Sequence, residues 1–243
     1  MNTEKIYELA ITKEINKILN AEKIYEQIQN AKLRANRTDK IFFVAVSKTR
    51  SIQEMKEAEK ISFVDFFGEN RVQEAETKRA AYGSSRLKWR LIGHLQANKA
   101  RKALELFDTI DSLDSPELAA RLNRIAGETN KIIPVLIEVN TSGEINKSGV
   151  SPENFSQLLD VVISQQNLKL EGLMTVGPLT DNEREIRRAF ANLRELEENA
   201  RVKSGLALPI LSMGMSDDFE LAILEGSTMI RIGTLLFGPR VYA

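Results

Sequence analysis

The stretch Ile41-Phe42-Phe43-Val44-Ala45-Val46-Ser47-Lys48 is a short, mostly apolar run that ends in a lysine. A continuous apolar run of this length, rich in aromatic and β-branched residues, is typical of a β-strand buried on both faces. Similar runs recur along the chain. With the first, they predict eight strands, at residues 41–47, 63–68, 89–93, 109–113, 133–140, 170–176, 209–213 and 229–233.

Segments with helical period lie between most of these strands, at residues 52–60, 95–106, 116–129, 152–165, 183–203 and 217–224. Ser115-Pro116 and Ser151-Pro152 are typical of helix N-termini. Parallel strands need helical crossovers, and eight strands are enough to close a packed cylinder. We therefore predict an α/β fold, a single (β/α)8 TIM-type barrel. The alternative, a doubly wound open sheet, predicts a Gly-rich turn after the first strand, and residues 47–50 contain no glycine.

The residues before the first strand, 1–40, are predicted to form an N-terminal helical extension that packs across the barrel. Its apolar positions include Ile6, Leu9, Ile15, Ile18 and Leu19. The chain has no low-complexity linker and no break in composition. We therefore expect one domain over residues 1–243.

Composition excludes several classes of function. The 243 residues carry 34 Lys and Arg against 34 Asp and Glu, so no net charge favours nucleic acid or an anionic membrane. Cysteine is absent and there is a single histidine, which leaves no recognisable set of metal ligands. The N-terminus lacks the apolar core of a signal peptide. We expect a soluble cytoplasmic protein without a metal.

Polar and small residues follow three of the predicted strands. In a barrel, reactive residues gather at the C-terminal ends of the strands, and phosphate commonly binds after strands seven and eight. Lys48 ends strand one; Ser212, Gly214 and Ser216 follow strand seven; Gly233 and Thr234 end strand eight. Glycines permit close approach of backbone N–H groups to an anion, and hydroxyls add donors. An amine beside a phosphate cradle indicates pyridoxal 5'-phosphate (PLP), although a solvated lysine and two ordinary tight turns would show the same residues.

Arg231 alternates with Met229 and Gly233 along strand eight, which directs its side chain into the barrel. A buried arginine needs an acceptor, and the pyridine nitrogen of PLP would serve. Because arginine does not give up its proton, that nitrogen would stay unprotonated and the ring would be a weaker electron sink. The alternative is a structural arginine paired with a carboxylate inside the barrel.

Five ordered motifs resemble one known family. They are VAVSKT at 44–49, FGENRVQE at 67–74, IGHLQANK at 92–99, LSMGMSDD at 211–218 and RIGT at 231–234. Over nearly its whole length the chain resembles the YggS-like PLP homeostasis proteins, which share a fold with the N-terminal domain of alanine racemase. The resemblance implies that Lys48 holds PLP as a Schiff base, that the 212–216 loop with Gly233 and Thr234 holds the phosphate, and that Arg231 faces the ring nitrogen.

The same resemblance implies that Asn70 and Met174 line the pocket. This chain has Trp89-Arg90 where the family often has Trp-His, which casts doubt on any role of the missing imidazole and leaves His94 as the one histidine.

Racemisation needs acid–base groups on both faces of the adduct. In the racemases the second group is a tyrosine from another domain, whereas Tyr7, Tyr25, Tyr82 and Tyr242 fall outside the predicted strand ends at the barrel mouth. His94 is the one residue that could replace this tyrosine as the second acid–base group. We therefore assign no catalytic residue and expect a monomeric, non-catalytic PLP carrier that can serve PLP-dependent apo-enzymes. The alternative is a PLP-dependent amino-acid racemase of low activity.

A third reading rests on a basic stretch that could dock RNA or an acidic enzyme. Its members are Lys78, Arg79, Arg86, Lys88, Arg90, Lys99, Arg101 and Lys102. Aromatic residues that would stack on bases are nearly absent from this stretch, apart from Trp89. We expect no nucleic-acid partner.

Overall fold

Eight parallel strands form a closed barrel. The computed structural model describes the backbone of residues 3–239 and the side chains of residues 19–239. Neighbouring strands pair in chain order, and β8 pairs with β1, so that the sheet closes. The predicted barrel is confirmed and the open-sheet alternative is excluded. The strands are β1 Phe42–Val46, β2 Phe66–Glu69, β3 Lys88–Leu91, β4 Thr109–Leu113, β5 Ile133–Glu138, β6 Leu168–Met174, β7 Ile210–Ser212 and β8 Met229–Ile232.

Helices cover the outside of the barrel. In the described part of the chain they are α1 Thr3–Arg34, α2 Ile52–Glu59, α3 Val72–Tyr82, α4 Ala100–Leu106, α5 Pro116–Glu128, α6 Pro152–Ser164, α7 Glu183–Ser204, α8 Phe219–Leu224 and α9 Thr234–Phe237, with a 3-10 turn at Ala97–Lys99. Ser115 caps α5 by accepting a hydrogen bond from the N–H of Leu118 at 3.3 Å. Ser151 is the N-cap of α6 and makes no side-chain hydrogen bond to the helix backbone, although its hydroxyl accepts from the Asn154 side chain at 3.2 Å. The sequence did not predict α3 or α9.

Two separate apolar layers stabilise the barrel. The larger one lies between strands and helices and contains, for example, Phe43, Phe67 and Trp89, all fully buried. The smaller one fills the interior of the barrel with Val44, Leu136, Met174, Ile210 and Met229. Alternate residues of each strand enter the two layers, as a strand buried on both faces requires.

The N-terminal helix packs on α8 and α9, on the outside of the barrel. Its buried stripe consists of Ala21, Ile24, Ile28 and Ala31, at the spacing of one helix face. Leu19, which we expected among the packed apolar positions, is 55% exposed because it lies off this stripe. The side chains of Ile6, Leu9, Ile15 and Ile18 lie outside the described residues. None of the helices, as far as the structure describes them, has the length and apolar character needed to cross a membrane.

Candidate functional site

A cavity of about 160 Å³ opens at the C-terminal ends of β1, β7 and β8. We call this end of the barrel the mouth. Five predicted site residues line the cavity together: Lys48, Ser216, Arg231, Gly233 and Thr234. They come from three loops that are distant in sequence, and the pairing of β8 with β1 brings two of these loops side by side. The structure therefore places an amine, a guanidinium and hydroxyl donors around one small space.

The turn after β1 holds Lys48 in a strained backbone. Thr49, the next residue, has a φ of 62°, which is uncommon for a β-branched side chain and costs roughly 1–2 kcal/mol. Its N–H donates to the Glu74 carboxylate at 2.5 Å, and this bond from α3 compensates in part for the strain. Glu74 therefore fixes the chain direction immediately after Lys48.

A buried ion network fixes the residue before Lys48. The Lys78 ammonium donates to the carbonyl oxygen of Ser47 at 2.6 Å and to the Glu69 carboxylate at 2.7 Å. Lys78 also lies 2.7 Å from Glu74, and the hydroxyl of Ser47 donates to Glu69 at 2.7 Å. Burial raises the pKa of Glu69, whereas the charge of Lys78 lowers it. Residues 47 and 49 are thus both held by α3, and Lys48 projects between two anchored neighbours.

The loop after β7 is closed by its own polar groups. Gly214 has a φ of 97°, and a Cβ there would lie 2.6 Å from the Cβ of Ala222, so this position requires glycine. The N–H of Met215 donates to the Asp218 carboxylate at 2.6 Å. The Ser216 hydroxyl accepts from the N–H of Leu235 at 3.3 Å, which ties this loop to α9. The hydroxyl proton of Ser216 remains available as a donor.

Arg231 lies almost fully buried beneath the cavity, with 3% of its surface exposed. Its Nη1 donates to the carbonyl oxygen of Ser212 at 2.8 Å and to the Ser212 hydroxyl at 2.9 Å. Its Nη2 donates to the carbonyl oxygen of Thr175 at 2.7 Å. Burial lowers the pKa of Arg231, and the charges of Asp218, Glu138 and Asp111 raise it. These bonds hold the guanidinium in one orientation at the floor of the cavity.

Further charges occupy the barrel interior near Arg231. Arg90 donates from Nε to the Asp111 carboxylate at 2.7 Å, and both side chains are buried. The guanidinium of Arg90 also lies over the ring of Phe66, at 4.9 Å from its centroid. Burial raises the pKa of Glu138 to about 7, and the charge of Arg231 opposes this effect. Arg90, the departure from the family's Trp-His pattern, therefore supplies a buried cation whose partner is Asp111.

Four predicted site residues do not line this cavity. Ser212 lies below it and is bound to Arg231, Gly214 packs against α8, and Met174 is fully buried in the apolar layer of the barrel interior. Asn70 lines a different cavity at the ends of β2 and β3. Roles for these residues in ligand binding stay predictions.

Four more residues line the cavity, and the sequence analysis did not predict them as site residues: Val46, Arg50, Met215 and Asp217. Arg50 is the most informative of them, because it adds a third cation to the lining. It is buried and donates to backbone oxygens at the end of α9, including Phe237 at 3.4 Å. The sequence feature that could have indicated Arg50 is its position, two residues after Lys48 in the same turn.

His94 lies in the loop after β3 and does not line the cavity of Lys48. Its Nδ1 is 3.0 Å from the Asp114 carboxylate. Of the tyrosines with described side chains, Tyr25 lies in α1 and Tyr82 ends α3, where its hydroxyl donates to Glu59 at 2.7 Å. Tyr7 and Tyr242 fall outside the described side chains. Within the described residues, these groups are therefore not assembled with Lys48.

The basic stretch does not form a basic face, because most of its members are already engaged. Lys78, Arg79, Arg90, Arg101 and Lys102 each pair with a carboxylate. Arg86 donates to backbone oxygens, among them Ile61 and Val64. Lys88 and Lys99 are the two members for which residues 19–239 provide neither an ion pair nor a side-chain hydrogen bond. The basic surface that the RNA-docking alternative requires is therefore not formed by these residues.

Comparison with known proteins agrees with this architecture. Residues 19–241 match the model of the family described as alanine racemase, N-terminal domain. The pyridoxal phosphate homeostasis protein of Aquifex aeolicus is 42% identical over 221 residues, which cover 90% of this chain and 96% of the relative. That of Pseudomonas aeruginosa is 40% identical over 224 residues, which cover 92% and 95%.

Solved structures show the same relationship. PipY of Synechococcus elongatus, whose structure was determined with PLP bound, is 37% identical with a TM-score of 0.78 and covers 90% of this chain and 100% of PipY. Alanine racemase of Clostridium difficile is 19% identical with a TM-score of 0.69, over 90% of this chain and 56% of the racemase; this likeness shows the fold alone. The chain therefore belongs to the alanine racemase N-terminal domain family and, within it, to the pyridoxal phosphate homeostasis proteins.

Proposed function

We propose that this protein binds PLP as a Schiff base on Lys48 and acts in PLP and amino-acid homeostasis without efficient catalysis. The observation that carries the proposal is the shared cavity of Lys48, Arg231, Ser216, Gly233 and Thr234. The relatives named pyridoxal phosphate homeostasis proteins and the PLP-bound structure of PipY support it.

The residues present fit this cofactor. When bound, PLP supplies an aldehyde that an amine captures reversibly. Lys48 provides the amine, and Ser216 and Thr234 provide hydroxyl donors for the phosphate. Thr234 also begins α9, so its N–H has no partner within that helix. Arg50 and Arg231 add positive charge to the lining, whereas Asp217 is the one acid among the lining residues.

Arg231 is the residue that argues for a carrier. Two of its nitrogens are committed to backbone and hydroxyl oxygens, and its proton is retained at all ordinary pH. If PLP binds with its pyridine nitrogen towards Arg231, the guanidinium would leave that nitrogen unprotonated, and the ring would then stabilise a carbanion only weakly. The residues below the cavity thus favour holding the cofactor over activating a substrate.

The absence of efficient catalysis is part of the proposal and has its own test. His94 lines another cavity, and Tyr25 and Tyr82 lie in the outer helices, so among the described residues neither an imidazole nor a phenol lines the cavity of Lys48, and Asp217 is the one acid there. We expect the PLP-loaded protein to leave the α-hydrogen of alanine and other amino acids unexchanged in deuterium oxide. Exchange that depends on Lys48 would establish the racemase alternative instead.

We further propose that the protein acts as a cytoplasmic monomer of one domain and passes PLP to apo-enzymes. The supporting observation for one domain is that Lys48 and the residues proposed to hold PLP with it all belong to the same closed barrel. A titration of PLP-loaded protein into an apo-enzyme, read by recovery of that enzyme's activity, tests the handover.

The central experiment compares wild type with Lys48→Ala. With added PLP, we expect a visible absorbance band in the wild type, and borohydride reduction should leave an adduct on the peptide that contains Lys48. Both signals should be missing in Lys48→Ala and retained in Lys88→Ala, which removes an exposed lysine from the opposite end of the barrel. A wild type without a band in excess PLP would contradict the proposed function.

A further inference from the structure

A second cavity, of about 560 Å³, opens beside the first at the ends of β2 and β3. Its polar lining includes Asn70, Arg71, Gln73, His94, Gln96 and Lys99. It shares no lining residue with the cavity of Lys48. It contains much of the FGENRVQE and IGHLQANK motifs, which the proposed carrier function leaves largely unused.

The lining carries positive charge and no carboxylate. Arg71 and Lys99 have no ion pair among residues 19–239, in contrast to most of the basic stretch near them in sequence. The imidazole of His94 also lines the cavity. Its Nδ1 lies 3.0 Å from the Asp114 carboxylate and is engaged by it. The other ring nitrogen of His94, Nε2, is therefore the one left for a ligand, and it donates to an anion when the ring carries both protons.

Uncharged donors surround the same space. Arg71 is the N-cap residue of α3 and makes no capping hydrogen bond with its side chain, so the first N–H groups of this helix have no helical partner. Gln73 and Gln96 add side-chain amides. The Oδ1 atom of Asn70 is buried without a hydrogen-bond partner in the protein, so one polar contact of this amide, as an acceptor, is left unfilled.

The two loops are held together as a rigid wall. A Cβ on Gly93 would lie 2.5 Å from the carbonyl oxygen of Asn70, so the loop after β3 packs directly on the loop after β2. This contact fixes the backbone that carries Arg71 relative to the backbone that carries His94. The segments that carry Arg71 and His94 are therefore held side by side, and both side chains are exposed along the same cavity.

We infer that this second cavity binds a phosphate-type oxyanion, a phosphate monoester or a free inorganic anion of the same shape, between Arg71, Lys99 and His94. A tetrahedral dianion offers acceptors in several directions, which suits a guanidinium, an ammonium, an imidazole and helix N–H groups that converge from different sides. A carboxylate has two acceptor atoms in one plane and matches fewer of these donors.

The single histidine makes the test specific, because the imidazole region of a ¹H–¹⁵N NMR spectrum then contains the signals of His94 alone. Inorganic phosphate and sulfate are titrated at constant ionic strength into the whole protein, with and without PLP. We expect a saturable shift of the His94 resonances. Acetate serves as the carboxylate probe and should give a much weaker response.

Three substitutions locate the response. Arg71→Gln and Lys99→Gln should each weaken phosphate binding about tenfold, as expected for the loss of one charge-assisted contact, and the double variant should show no saturable shift. Lys88→Gln removes the same charge from the opposite end of the barrel and should behave as wild type. None of these residues lines the cavity of Lys48, so the PLP absorbance band should persist in every variant.

Two results would overturn the inference: no saturable shift in the wild type, or an unchanged shift in the double variant, which would indicate a general ionic effect. A response to acetate equal to that to phosphate would overturn the assignment of the anion class. A phosphate monoester that binds more tightly than inorganic phosphate would identify the monoester as the ligand, and the reverse order would identify the free anion. Failure of PLP to bind Lys48 would leave the His94 readout intact, so the two proposals fail separately.

Discussion

Arg231 on β8 donates from one nitrogen to both the carbonyl oxygen and the hydroxyl of Ser212 on β7, at 2.8 and 2.9 Å. The Ser212 hydroxyl therefore supports the floor of the cavity of Lys48 and does not line its wall. The resemblance placed the loop that contains Ser212 around the phosphate. A structural role for the Ser212 hydroxyl and a role in holding the phosphate predict different effects of removing that hydroxyl.

Ser212→Ala should cost about 1 kcal/mol of unfolding free energy, the usual contribution of one hydrogen bond, because Arg231 keeps its backbone acceptors. If Ser212 acts through Arg231, the variant should bind PLP and pyridoxal more weakly by the same factor. Affinities from absorbance titrations with both aldehydes check this. A loss confined to PLP would instead assign the Ser212 hydroxyl to the phosphate.

Gly214→Ala should destabilise the protein by about 2–4 kcal/mol, because it combines a left-handed backbone with a Cβ 2.6 Å from that of Ala222. Gly205→Ala is the matched control. Gly205 also has a positive φ, of 70°, but nothing lies within 4 Å of its Cβ position, so its cost should be about 1 kcal/mol. Urea denaturation measures both, and equal costs would show that the close contact with α8 contributes nothing.

Glu138→Gln should change how stability depends on pH. The carboxyl has an ordinary pKa of 4.5, and burial raises it to about 7 in the folded protein. A raised carboxyl pKa means that the folded state retains a proton that the unfolded state loses. The stabilisation is therefore complete below pH 4.5 and is lost as pH rises through about 7, by about 3 kcal/mol in total.

Urea denaturation of wild type and Glu138→Gln from pH 4 to 8 tests this, because the neutral amide cannot titrate. The variant should gain stability relative to wild type as pH rises. A constant difference between the two proteins across this range would mean that Glu138 titrates normally in the fold.

Arg90→Met should destabilise the protein by about 3–5 kcal/mol, because it leaves Asp111 charged and buried without its partner at 2.7 Å. Replacing both residues, as Arg90→Met with Asp111→Leu, should recover most of the loss, since an apolar pair avoids the cost of burying charge. The double-mutant cycle is read by thermal or urea unfolding. Additive losses would indicate that the two side chains contribute independently.

The sequence predicted the barrel well because most strand residues are buried on both faces, and most of the strands therefore contain short apolar runs, as in β1 and β5. It failed at α3 because Lys78, one of the inward positions of this helix, is a charged residue that breaks the apolar period. Lys78 is buried because it meets Glu69 and Glu74. Glu74 is its i,i+4 neighbour in the same helix, whereas Glu69 lies on β2 and its contact with Lys78 is visible only in three dimensions.

The candidate site was predicted in part. Strand ends and small-residue loops indicated Lys48, Ser216, Gly233 and Thr234, and strand alternation indicated Arg231. Arg50 was missed because its neighbours at the end of α9 are 187 or more positions away. Asn70 and Met174 came from the resemblance alone, and no pattern within their own segments could separate a cavity wall from a packed interior or a neighbouring cavity.

Because β1 pairs with β8, the cavity of Lys48 can form only after the last strand has been synthesised. Lys48 is synthesised early in translation, whereas Arg231 and Thr234 are added near its end. Until the last strand joins the first, the lysine has neither an arginine beneath it nor hydroxyls beside it. If PLP binds at Lys48 as proposed, a nascent or truncated chain should not retain it, and capture of PLP should mark a molecule whose translation and folding are complete.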